Sequence, residues 1–234
     1  MIDDVAALTE TVHEQTAVSI SVSCQPHNAK NIKRLKISGV NRIGIPLDAA
    51  TEELFDQIKG KSAGGPYTWE TQIRLLNEAV SMFGERNVST HLIVGLGETE
   101  EDMVRVMQKC LDLGVIPALF AFTPIARTAL DQKTQPRLET YRRVQLARHL
   151  MLMKKTSLKN FLFSDRGLIT SFGVEEKELQ NTIRTGEAFR TSGCPDCNRP
   201  YYNEKPGGPI YNYPKAPTEE EIKLIKKQFA SRFS

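Results

Sequence analysis

The sequence predicts an α/β fold: an incomplete (β/α) TIM-type barrel followed by an irregular carboxyl-terminal extension that contains cysteine. Three observations predict it. Short apolar segments alternate with amphipathic helical patterns across residues 17–163, which marks strand–helix units around a parallel sheet. The strand-like segments end in Cys24-Gln-Pro26, Pro46-Leu47-Asp48, Gly95-Leu-Gly-Glu98 and Thr123-Pro124. Right-handed crossovers would bring these ends to one rim, the side of a barrel where ligands bind. After about Gly173 the composition turns to Gly, Pro, Asn and Tyr without a period, so residues 1–172 read as the barrel part and 173–234 as the extension.

Taken in order, residues 3–15 read as a helix with Val5, Leu8 and Val12 at helical spacing. Residues 17–23 alternate Val18, Ile20 and Val22 with polar residues, the period of a strand. Asn28 caps a basic helix over 29–38, closed by Gly39. A second strand spans 41–47 and a short helix 52–59, before the breaker-rich Ser62-Ala-Gly-Gly-Pro66. Thr68 caps a helix over 69–83, and residues 88–94 form a short apolar run of the kind buried on both faces of a parallel sheet. A helix over 100–113, a strand over 116–122, a long helix over 137–154 and a fifth strand at 160–163 complete the barrel part. The chain closes with a helix over 217–233, acidic at its start and basic near its end, as the helix dipole favours.

The stretch Ser89-Thr-His-Leu-Ile-Val-Gly-Leu-Gly-Glu-Thr-Glu-Glu-Asp102 organises the rest. Gly95 and Gly97 allow a sharp turn and a close backbone approach. Thr99 and Asp102 have the spacing of a capping box, and Glu98, Glu100 and Glu101 add negative charge at a helix start. The spacing is not that of a Rossmann fingerprint or a P-loop, which argues against phosphate cradling. The plainer alternative is a tight strand-to-helix turn with no ligand.

Composition bounds the function class. The formal net charge of +3 is too small to imply nucleic acid, and charged and hydrophobic shares of 25% and 40% are those of an ordinary globular chain. No apolar run is long enough to span a bilayer and no signal peptide is visible, so the expected location is the cytoplasm. Cys24, Cys110, Cys194 and Cys197 are too unevenly spaced for a disulfide framework.

Cys194-Pro-Asp-Cys197 is the most specific local feature, since two thiolates at this spacing can share one metal or cluster. Three readings compete: a structural zinc knuckle completed by His149 or His91, a redox pair, and an iron–sulfur ligand pair with Cys24 as an additional ligand. Pro200 and Gly207-Gly208 speak against the helix a redox pair needs. Cys110 reads as buried filling. Asp48 is either a contact to a ribose hydroxyl or other polar ligand group, or the N-cap of the helix after Ala50. His91 reads as a hydrogen-bonded core residue. Arg127 and Arg166 are rim candidates for a carboxylate or cluster edge, with solvated arginine as the alternative.

Together these residues resemble radical S-adenosylmethionine (SAM) enzymes of the biotin synthase and lipoyl synthase type. Against that family's Gly-x-Ile-x-Gly-x-x-Glu motif, His91-Leu-Ile93-Val-Gly95-Leu-Gly97-Glu98 matches at Ile93, Gly95 and Glu98 and departs at His91. The resemblance runs from about Ala17 to Gly167 and implies a partial (β/α)6 radical SAM barrel. It implies cofactor-binding roles for Asp48, Ile93, Gly95, Glu98 and Thr123, with Asp48 near the SAM ribose and Phe122-Thr-Pro124 beside the adenine. The tail Thr191-Ser-Gly-Cys-Pro-Asp-Cys-Asn-Arg-Pro-Tyr-Tyr-Asn-Glu resembles the archaeal-type two-component lipoyl synthase. That likeness implies sulfur insertion into an octanoyl-type chain and an auxiliary 4Fe–4S cluster on Cys194, Cys197 and Cys24. It also implies two partners, a second radical SAM subunit and a lipoyl-domain or carrier-protein substrate. The alternatives are another biotin synthase-like enzyme, or a non-catalytic scaffold with zinc at the Cys-x-x-Cys.

One departure dominates. The family's Cys-x3-Cys-x2-Cys loop, which holds the SAM-binding cluster, is absent from the sequence. The expectation is therefore a fragment of a longer enzyme, or a chain with a mis-assigned start, lacking the first two β/α units. Alone it would be inactive, and its open strand edge would favour a dimer.

Overall fold

The structure, a computed structural model, describes residues 1–192 and 207–230. Four strands form the main sheet in the order β1 (Ser21–Ser23), β2 (Arg42–Gly44), β3 (Val88–Val94), β4 (Val115–Ala121). The first two ladders are parallel, with Ser23 opposite Gly44 and Gly44 opposite Ser89. Around these strands the chain winds α1 (Ile2–Gln15), α2 (Ala29–Ile37), α3 (Glu52–Ile58), α4 (Trp69–Phe83) and α5 (Glu100–Asp112). This is the β/α alternation that the sequence predicts.

Contacts divide the chain into two compact units, residues 1–92 with 109–118 and residues 93–108 with 119–234. In the first, Ile43, Ile45, Val88, Thr90 and Leu92 are fully or almost fully buried, as are Ile32, Leu35, Leu75 and Leu76 of α2 and α4. Ser89, His91 and Ile93, on the alternate face of β3, are only half-buried. The strand is thus closed on one face, not on both as its apolar run suggests. Thr90 is the polar exception on the closed face. Its hydroxyl donates to Ile45 O at 2.8 Å and accepts from Leu47 N at 2.9 Å, bridging the place where β2 leaves its ladder.

The helix caps follow the sequence. Asn28 accepts from Asn31 N, Thr68 from Thr71 N, and Thr99 and Asp102 close a reciprocal box, with Asp102 N donating to Thr99 at 3.1 Å and Thr99 N to Asp102 at 2.9 Å. α1 differs in which face it buries. Ile2, Ala6 and Thr9 pack inward and Leu8 is 66% exposed, because α1 rests on α2 through that stripe. β1 is shorter than predicted. Residues 17–20 have no strand opposite them, and pairing begins where Ser21 meets Arg42. β1 lies at the sheet edge, with Val18 58% exposed beside it.

In the second unit, α6 (Leu138–Leu152) carries Tyr141, Val144, Leu146, Ala147 and Leu150, all fully buried. The predicted fifth strand does not join the parallel sheet. β5 (Leu162–Phe163) pairs antiparallel with β6 (Ile169–Ser171) in a separate hairpin. The Ser164-Asp-Arg-Gly turn between them folds the chain back, with Gly167 N donating to Ser164 O at 2.8 Å. A helix that the sequence reading missed, α7 (Glu176–Thr185), follows, and α8 (Glu219–Ala230) packs with α6 and α7. Thr218 and Glu221 cap α8 reciprocally, at 3.3 and 2.7 Å.

Candidate functional site

Each unit contributes one polar constellation from the residues singled out in the sequence. In the first unit it centres on Asp48, whose φ of 67° is left-handed, a conformation that Asp tolerates better than most residues. Its backbone N–H donates to His91 O at 2.8 Å. Its carboxylate accepts from Lys59 Nζ at 2.7 Å, and the same ammonium donates to Pro46 O at 2.8 Å. Asp48 is not the N-cap of α3. Thr51 takes that place, accepting from Leu54 N at 3.2 Å, because the left-handed turn at Asp48 carries its side chain away from the helix start.

His91 stands beside this ion pair. Burial holds its imidazole below the ordinary value of 6.5, with Asp48 pulling upward and Lys59 downward. His149, in the second unit, is also held below that value, by burial and by Arg148. The unfolded chain therefore binds more protons than the folded one at pH values just under 6.5. The stability from these two groups is complete above 6.5 and is lost as pH falls through their lower folded values. Urea unfolding between pH 5 and pH 7.5, about the range over which imidazole titrates, should show stability rising toward neutrality, with a shallower slope in His91→Gln. An unchanged slope in that variant would remove His91 from the account.

In the second unit the turn after β3 folds around its own acid. Glu98 accepts from Gly95 N at 2.6 Å, Leu96 N at 2.9 Å and Gly97 N at 3.0 Å. Burial outweighs these donors and holds the carboxyl above its ordinary value. Gly95 has φ 108°, and a Cβ there would lie 2.9 Å from Pro136, so packing as well as backbone geometry requires glycine. Lys133 Nζ donates to Leu96 O at 2.7 Å and ties the turn from outside. The amides that a sequence reading would offer to a ligand are thus engaged by Glu98. Glu98→Ala should leave three donors to solvent or unpaired, costing about 2–4 kcal/mol at typical orphan-donor penalties. Hydrogen exchange at Gly95, Leu96 and Gly97 should accelerate correspondingly, and unchanged exchange would contradict the arrangement.

Ile93 is half-buried at the end of β3. Thr123 follows β4, its hydroxyl accepting from Gln135 Nε2 at 3.2 Å. Arg127 and Arg166 are exposed. Cys24 continues the β1 ladder through Cys24 N to Gly44 O at 3.0 Å, and burial pushes its thiol up to about 11. Cys110 is fully buried in α5, its thiol pushed up to about 12. Cys194 and Cys197 lie outside the described residues, as do Tyr201 and Tyr202. Among the described residues no group of three or more His, Cys, Asp or Glu is gathered to hold a metal ion. The described residues therefore do not fit the SAM-binding cluster, which in the family rests on three thiolates from one loop. No helix among the described residues is long and apolar enough to cross a membrane.

Three features escaped the sequence reading. Lys59 and Gln25 carry no sequence signal that sets them apart from a helix-end lysine and a loop amide. The third is the set of α6 side chains that hold the segment after the cysteine pair. Tyr211 and Tyr213 pack on α6. Tyr211 meets Tyr141 edge-on at 5.1 Å, and Tyr213 lies 5.3 Å from the Arg142 guanidinium.

Residues 2–110 match the family model of the Radical SAM superfamily. No curated protein matches the chain. Among solved structures, the chain is similar to a radical S-adenosylmethionine methyltransferase, TsrM, from Kitasatospora setae, solved with tryptophan substrate and a SAM analogue (aza-SAM) bound. The two are 14% identical with a TM-score of 0.45, and the match covers 97% of this chain and 45% of that one. The chain thus spans less than half the length of that structure.

Proposed function

We propose that this chain is part of a radical SAM enzyme and works with a three-cysteine segment supplied outside these 234 residues. The observation that carries the reading is the superfamily match over residues 2–110. The parallel β/α sheet is in keeping with it. In this reading Asp48, Ile93, Gly95, Glu98 and Thr123 keep the cofactor-binding roles that the family resemblance gives them. A cluster held by that segment would supply the reducing electron. This chain's own residues bind and orient.

The test is anaerobic expression with the three-cysteine segment, fused in frame from upstream DNA or added as a separate chain. Reduced protein should convert SAM to 5′-deoxyadenosine and methionine, and protein lacking the segment should not. Absence of cleavage in both arrangements overturns the proposal.

The finer reading is sulfur insertion into an octanoyl-type chain, with an auxiliary 4Fe–4S cluster on Cys194, Cys197 and Cys24. It rests on the likeness of the tail. A second radical SAM subunit and a lipoyl-domain or carrier-protein substrate would be its partners, and the exposed edge at β1 a route to a dimer. The rival for the same cysteines is a structural zinc site. Metal analysis after anaerobic purification separates them: iron with acid-labile sulfide supports the auxiliary cluster, and stoichiometric zinc excludes it.

A further inference from the structure

Within the first unit three buried side-chain acceptors stand without a donor, Gln72 Oε1 and Glu78 Oε2 on α4 and Gln25 Oε1 just after β1. Only the last is linked to Asp48. Gln25 Nε2 donates to Pro46 O at 3.0 Å, yet Gln25 Oε1, shielded from solvent, accepts nothing. Flipping the amide would set two carbonyl oxygens against each other, so the Pro46 contact fixes its orientation. A buried carbonyl left unpaired is costly, and such a group calls for an explanation in strain, in a water or ion, or in a functional role.

The same Pro46 carbonyl is shared by Lys59, and through it the orphan acceptor is joined to Asp48. Lys59 is 12% exposed and wedged between rings, its ammonium 5.6 Å from the centre of Phe55 and 5.5 Å from that of Tyr67. It occupies one oxygen of Asp48, Oδ2. The pair is formally neutral, and His91 beside it is biased toward its neutral form. A site with two acceptors and no net charge selects a neutral ligand group that donates hydrogen bonds, a hydroxyl pair in preference to a phosphate or an ammonium.

We propose that Lys59 is a positioning residue that fixes Asp48 in its left-handed conformation and presents Oδ1, and that Gln25 Oε1 is the second acceptor of the same subsite for a hydroxyl-bearing ligand. The inference rests on the reading of Asp48 as a SAM contact and adds two residues to it. Lys59 does not touch the ligand. It acts through Asp48, holding the carboxylate against rotation and cancelling its charge.

Two NMR comparisons on the 234-residue chain test this separately from the cofactor reading. Without ligand, Lys59→Met should shift the Asp48 backbone amide and raise the pH midpoint of His91, because Asp48 loses its counter-charge. Lys59→Arg should restore both, and it serves as the readable variant if Lys59→Met does not fold. Unchanged Asp48 and His91 signals in Lys59→Met, or an Arg variant that fails to restore them, overturn the positioning role.

With SAM as the probe, the Gln25 side-chain amide and the Asp48 amide should shift on titration. Gln25→Leu and Lys59→Met should each weaken binding about tenfold, the factor that 1.4 kcal/mol represents. Lys59→Met should cost nothing further in an Asp48→Asn background. SAM binding that leaves Gln25 unshifted, or equal losses from Lys59→Met in both backgrounds, overturns the subsite. No response to SAM anywhere on the wild-type chain, with the three-cysteine segment supplied as well, overturns the cofactor reading together with the acceptor pair, while the ligand-free comparison still decides Lys59.

Discussion

Arg143→Ala should cost the fold about 3–5 kcal/mol, the loss expected when one partner of a buried ion pair is removed. Arg143 Nε lies 2.9 Å from both oxygens of Glu100, and Nη2 lies 2.5 Å from Oε1. The Glu100 side chain is 1% exposed, so truncating its partner strands a carboxylate that still accepts from Ile169 N at 2.8 Å. That donor begins β6, so one acid joins α5, α6 and the β5–β6 hairpin. Replacing both partners by methionine should cost less than Arg143→Ala, because no charge is then left buried. Urea unfolding of wild type, the single variant and the double variant measures this. A loss under about 1 kcal/mol in Arg143→Ala, the size seen for exposed pairs, would show that the pair is solvated.

Arg142→Met should release the segment from Ile210 to Tyr213 and cost about 3 kcal/mol or more, at typical values for charge-assisted hydrogen bonds. The guanidinium is fully buried. It donates to the carbonyls of Ile210 and Tyr211, to Gln145 at 2.7 Å and to Gln228 at 3.2 Å, and it lies 5.5 Å from the Phe189 ring. Gln145 adds donors to Tyr211 O and Asn212 Oδ1, each at 3.0 Å. Arg142→Lys should rescue little, because a single ammonium cannot span a fork of carbonyls and amides. Limited proteolysis reads the outcome as faster cleavage after residue 207 in both variants. Full protection in Arg142→Lys would show that charge alone, and not the planar fork, holds the segment.

This clamp bears on the proposed function. Thr191 N donates to Tyr213 O and Tyr213 N to Phe189 O, both at 2.9 Å, and Ser192 Oγ accepts from Leu119 N at 3.3 Å. The chain on either side of residues 193–206 is therefore held side by side, and Arg142 secures one of those two sides. A variant that frees it should alter metal content at Cys194 and Cys197 if those thiols share a metal, a readout that a remote structural role would leave unmoved.

Most elements were legible because local chemistry specified them. The caps at Asn28, Thr68 and Thr99 and the period of α4 required no knowledge of distant neighbours. β5 was misassigned because two apolar residues look alike in a parallel sheet and in a hairpin, and only the Ser164-Asp-Arg-Gly turn decides between them. α1 was recognised as a helix but with the wrong face inward, since a partner helix chooses which stripe is buried.

The site was legible only in part. Sequence placed Asp48, Gly95 and Glu98 at strand ends, because a strand–helix period locates its own turns. Which partners those side chains take was decided by the way the chain folds, locally at the turn and across longer separations elsewhere. Lys59 claims one oxygen of Asp48, three amides of its own turn claim Glu98, and Arg143 converts Glu100 from a helix-start acid into half of a buried pair. Periodicity and capping are properties of neighbours along the chain, so sequence alone determined the strand–helix order and where it turns. The pairing of a charge depends on which distant group desolvation forces it to meet, and only the tertiary structure decided that.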